Sequence, residues 1–113
     1  MAHERQSDSH FVFSERLGIE IPSLQCDWDE LDSGSQTVIL TRWELIRGSI
    51  PDRIMGFEAV IRVKQQLLFE EDDFTRSCLL NGEIADLASR INDLNIWFRA
   101  QQELNGDAKQ HAG

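Results

Sequence analysis

The sequence predicts an all-α fold: an antiparallel helical hairpin, with a shorter helix before it and an extended N-terminal arm before that. Three observations carry this expectation. Apolar residues recur with a helical period over residues 51–70. Leu80, Ile84, Leu87, Ile91, Leu94 and Phe98 then follow at alternating spacings of four and three, the pattern of a seam between packed helices. Only a short acidic run separates the two segments, so they fold back on one another. The expected organisation is a flexible or extended arm over 1–26, a helical domain over 27–106 and a disordered tail over 107–113.

The first nine residues are polar. From residue 10 to 25, Phe11, Val12, Phe13, Leu17, Ile19, Ile21 and Leu24 lack a helical period and are broken by Gly18 and Pro22, which reads as an extended arm with a short strand in it. Asp32-Ser33-Gly34-Ser35 forms an N-cap cluster ahead of a first helix over about 36–47. Ile39, Trp43 and Ile46 make one face of that helix, Val38 and Leu45 widen it, and Gly48 is placed to stop it in the left-handed conformation.

Pro51 suits the first turn of a second helix, because its missing N–H has no intrahelical partner there, and Asp52 complements the positive end of the helix dipole. Ile54, Phe57, Val60, Ile61, Val63, Leu67 and Leu68 form its broad apolar stripe. In Glu70-Glu71-Asp72-Asp73 the alternating ligands and central glycine of a calcium loop are missing, so the run reads as a solvated turn in which Asp72 or Asp73 caps the third helix. That helix is expected over about 74–104, with Asn81-Gly82 as an interruption and Asn105-Gly106 as its C-cap.

The two helices of the hairpin differ in length, roughly 30 Å against roughly 46 Å at 1.5 Å per residue. The third therefore overhangs the second beyond about residue 93, with an apolar tract that includes Leu104. Leu94, Ile96, Trp97, Phe98 and Arg99 are the candidate interaction residues, since Trp and Arg are frequent interface anchors, while Trp97 as ordinary core is the plainer alternative. The first helix covers one side of the overhang. A second copy of the chain or another protein completes the cover, so a homodimeric bundle is expected, with the N-terminal arm as a competing cover.

Composition narrows the function classes. The 113 residues suffice for one domain, and 20 acidic against 11 basic side chains give a formal charge of −9. That balance opposes direct binding to nucleic acid or an anionic membrane, and no apolar run is long enough to span a bilayer. Nothing at the N-terminus resembles a secretory signal, so a cytoplasmic location is expected. Cys26 and Cys78 are too few for a disulfide framework; Cys78 is expected as a buried small residue and Cys26 as a free thiol. His3, His10 and His111 lie near the ends, and no metal, cofactor or catalytic constellation is expected. Arg76, Arg90 and Arg99 are the candidates for gripping an anionic metabolite, although Asp86 at four residues from Arg90 suggests a surface ion pair instead.

The tract from Asp73 to Leu87 resembles the UVR motif, a helical hairpin found in bacterial excision-repair proteins B and C, in some Clp-type unfoldases and in the activator of a protein-arginine kinase. Asp73-Phe74 match its opening, Ser77-Cys78 stand where two alanines are common, and Leu80, Ile84 and Leu87 match its apolar positions. Ile54 and Phe57 suit its preceding helix, so the resemblance covers residues 54–88. Asn81-Gly82 replaces the usual Arg-Asp pair. The resemblance implies docking onto a related hairpin or a larger machine, without catalysis.

The expected function is thus a non-catalytic protein–protein interaction module, an adaptor or regulatory subunit. Two alternatives compete with it: a small dimeric all-α enzyme acting on an anionic metabolite through its arginines, and an acidic regulator of a basic, DNA-binding partner.

Overall fold

The structure, a computed structural model, describes the backbone of residues 10–112 and the side chains of residues 10–100. It is mostly helical, with one small two-stranded sheet. The chain forms two compact units that divide between Ser49 and Ile50. The first helix therefore belongs with the N-terminal segment, whereas the expected domain over 27–106 grouped it with the helical hairpin.

In the first unit the expected arm is a β-hairpin. Strand β1 (Phe11–Ser14) runs antiparallel to β2 (Ile19–Pro22), pairing Phe11 with Pro22 and Ser14 with Ile19. Gly18 makes the turn possible: its φ of 73° lies in the left-handed region, and its N–H donates to the Ser14 carbonyl at 2.7 Å. Phe11, Leu17 and Ile19 are buried, while Val12, Phe13 and Leu24 of the same segment stay exposed.

A short 3-10 turn (Trp28–Glu30) leads into helix α1 (Ser33–Gly48), and the Gln36 side-chain amide donates to the Trp28 carbonyl at 2.9 Å. Asp32 occupies the N-cap with extended backbone, so the helix opens three residues earlier than the capping cluster suggests. The Ser35 side chain, followed by backbone donors of the first turn, holds the Asp32 carboxyl below the usual carboxylate range.

Ile39 and Trp43 are buried as expected and Ile46 is half-buried, but Val38 and Leu45 are exposed and do not widen the packed face. Helix α1 packs on β2, where Arg42 donates to Glu20 at 2.6 Å and lies 4.9 Å from the Phe11 ring centroid. Gly48 does not adopt the left-handed conformation, because a single right-handed residue, Ser49, separates α1 from the next helix.

The second unit is the expected hairpin of α2 (Ile50–Glu70) and α3 (Phe74–Ala112). Its three-residue turn is capped by Asp73, whose carboxylate accepts from the Arg76 N–H at 2.9 Å. The expected seam on α3 is on the packed side: Leu80, Ile84, Leu87, Ile91 and Phe98 are half-buried, and Leu94 is fully buried. Helix α3 does not stop at Asn105-Gly106 but continues to Ala112. A glycine in a helix costs only about 1 kcal/mol, and the following Ala108, Lys109 and Gln110 are good helix formers. The expected tail thus has helical backbone to Ala112.

Candidate functional site: the outer faces of the helical hairpin

The seven apolar positions of α2 separate into two sets. Ile54, Phe57, Ile61 and Leu68 are half-buried in the hairpin, while Val60, Val63 and Leu67 remain 44%, 61% and 51% exposed. At 100° per residue the exposed three fall on one stripe with Gly56, turned away from the packed face. A two-helix hairpin has only one internal face, so a helix with apolar residues over about half its circumference leaves part of them in water.

An open groove of about 540 Å³ runs between the helices beside this stripe, lined in part by Val60, Lys64, Leu79, Gly82, Glu83 and Asp86. Its charges are paired within the chain. Lys64 donates to Glu83 at 2.9 Å across the helices, and Arg90 to Asp86 at 2.8 Å along α3, the pair that its spacing suggests. A smaller groove of about 400 Å³ is lined by Glu58, Ile61, Arg62, Ala88 and Ile91. Phe69 and Phe74 stand exposed on either side of the acidic turn.

The candidate interaction residues do not form one exposed patch. Leu94 has no accessible surface, Trp97 and Phe98 are half-buried, and Ile96 and Arg99 are exposed. Successive residues on a helix point in different directions, so a run of five neighbours surrounds α3 instead of forming one face. The sequence signal for the larger exposed stripe was the width of the apolar set on α2. At 100° per residue its seven positions spread over about 180°, wider than the stripe of roughly 100° that one packed face needs.

The three candidate arginines do not converge. Arg76 and Arg90 are 14 residues apart on α3, about 21 Å along the axis, and Arg99 is about 14 Å beyond Arg90. Arg76 lies 4.0 Å from Glu71, Arg90 is engaged by Asp86, and Arg99 donates to the Asn95 carbonyl at 3.3 Å. Cys78 is exposed and lines the larger groove, contrary to the expected burial, because it lies on the outer side of α3 while Ser77 and Leu80 turn inward. Cys26 is likewise exposed, and both thiols are free.

Among the described residues, no group of three or more His, Cys, Asp or Glu side chains is placed to hold a metal ion, and no helix is long and apolar enough to cross a membrane. Compared with protein-family models, with curated proteins and with solved structures, the chain has no match.

Proposed function

We propose that the chain is a protein–protein interaction module, an adaptor or regulatory subunit that makes contact through the outer apolar face of its helical hairpin. The observation that carries this reading is the stripe of Val60, Val63 and Leu67, regularly spaced on a long helix and about half exposed. Scattered single apolar residues on a surface are ordinary, but an aligned set beside an open groove is the usual signature of a contact site. With the neighbouring charges paired in the chain, the partner surface is itself largely apolar. The resemblance of residues 54–88 to the UVR hairpin points to the same mode, helix docking on helix, and a cytoplasmic setting fits it.

The test uses the tagged full chain as bait in lysate containing an untagged copy, with Val60→Glu and Val63→Glu baits in parallel. The reading expects that the wild-type bait enriches a protein, its own copy or another, and that both variants lose it while keeping the wild-type circular dichroism spectrum. No enriched protein, or enrichment unchanged by both substitutions, would overturn it.

A further inference from the structure

The exposed stripe of α2 is longer than its apolar part. Arg53, Gly56, Val60, Val63, Leu67 and Glu70 follow at spacings of three, four, three, four and three, a complete second seam on a helix whose other face already packs in the hairpin. Every one of these six residues is exposed. The order of side chains along the seam is informative: a positive end, a small residue, two valines, a large residue and a negative end.

We infer that this seam packs against the same seam of a second copy of the chain, antiparallel, about a two-fold axis between Val60 and Val63. The inference rests on the reading of the hairpin as a contact module and names its partner. Antiparallel packing about that point brings Val60 opposite Val63 of the second copy, Gly56 opposite its Leu67, and Arg53 opposite its Glu70. Each layer is complementary. The valines match in size. A Cβ built on Gly56 meets nothing within 4 Å, which leaves room for the leucine from the facing helix. The outer layers join opposite charges at both ends of the contact. A parallel arrangement instead sets Arg53 on Arg53 and Glu70 on Glu70, so the charges choose the antiparallel one.

The contact is isologous, as a two-fold dimer requires. Arg53 also lies 5.7 Å from the Phe57 ring centroid in its own chain, which holds the guanidinium at the edge of the seam.

The experiment is light scattering on a size-exclusion column over a concentration series, using the full chain and the variants Arg53→Glu and Glu70→Arg. The wild type is expected at twice 13.0 kDa. Each variant alone places two like-charge layers in its homodimer and is expected to dissociate roughly tenfold more readily. An equimolar mixture of the two variants restores both opposite-charge layers in the heterodimer, and its mass is expected to return to that of the wild-type dimer. Far-ultraviolet circular dichroism confirms that each variant is folded.

A wild-type chain that stays monomeric, variants that dimerise as well as the wild type, or a mixture that does not recover would overturn the inference. If the chain is monomeric yet its bait retains another protein through Val60 and Val63, this inference fails and the module reading stands. If it retains nothing, both fail.

Discussion

Leucine at two positions of the hairpin offers a direct test of which surfaces are sealed. Leu94 has no exposed surface and Leu67 is 51% exposed. Both become alanine with little change in helix propensity. At Leu94 the substitution removes the side chain from a closed site and leaves a cavity, a loss of about 3–4 kcal/mol. At Leu67 about half of the transfer energy was never gained, and water fills the space, so the loss is about 1 kcal/mol. The ratio of roughly three is the quantity of interest, because it cancels uncertainty in the unfolded reference.

Urea unfolding followed by circular dichroism measures both variants. It is run at low protein concentration so that self-association adds nothing to apparent stability. With an overall stability of about 5–15 kcal/mol typical of natural domains, a loss of this size leaves a folded baseline. Equal losses at the two sites, or a Leu94→Ala loss within about 1 kcal/mol of wild type, would refute the assignment of Leu94 to a sealed interior.

Three further outcomes follow from local features. Gly18→Ala forces a Cβ into the left-handed region and is expected to lower the stability of the first unit by about 1 kcal/mol or more, read from the unfolding midpoint; an unchanged midpoint would contradict the turn geometry. The Asp32 carboxyl titrates below its ordinary 3.8 in the folded chain, so its carboxylate favours folding above that pH and the benefit fades as pH falls through the lower folded value. Asp32→Asn is expected to flatten this part of the acid-unfolding curve, and a curve of unchanged shape would count against the Ser35 contact that lowers the carboxyl. Cys26 and Cys78 are both expected to react with a thiol reagent in the folded protein, within the same phase, and protection of Cys78 until unfolding would place it inside the hairpin after all.

The elements whose signals are local and redundant were readable from the sequence. Pro51 with Asp52, the acidic run closing on Asp73, and the seam from Leu80 to Phe98 each combine a cap or turn residue with a period, and the hairpin follows from them. Where one local signal stood alone, the structure overrides it. Helix α1 does end at Gly48, though without the left-handed conformation, whereas Asn105-Gly106 permits a helix end without compelling it, since a glycine in a helix costs only about 1 kcal/mol.

The β-hairpin was hidden for a different reason. Phe11, Val12 and Phe13 are consecutive apolar residues with no alternation, and in the strand itself only Phe11 is buried while Val12 and Phe13 stay exposed. For the candidate site, helical period identified which residues are apolar but not which of two adjacent faces the partner helix takes. That choice is tertiary, and it left Val60, Val63 and Leu67 outside.

The three-residue turn between α2 and α3 also bears on how this unit forms. Every contact of the hairpin is nested about residues 71–73, so the loop closed by each new contact is only slightly larger than the last. Lys64 and Glu83, 19 residues apart in sequence, come within reach once a few turns on either side have formed. Growth outward from the turn spreads the entropic cost of closure over many small steps. Topologies rich in such local contacts fold on the microsecond to millisecond scale. The acidic turn is therefore the natural point of nucleation of this unit. Substitutions there, such as Asp73→Ala, should slow folding more than they speed unfolding.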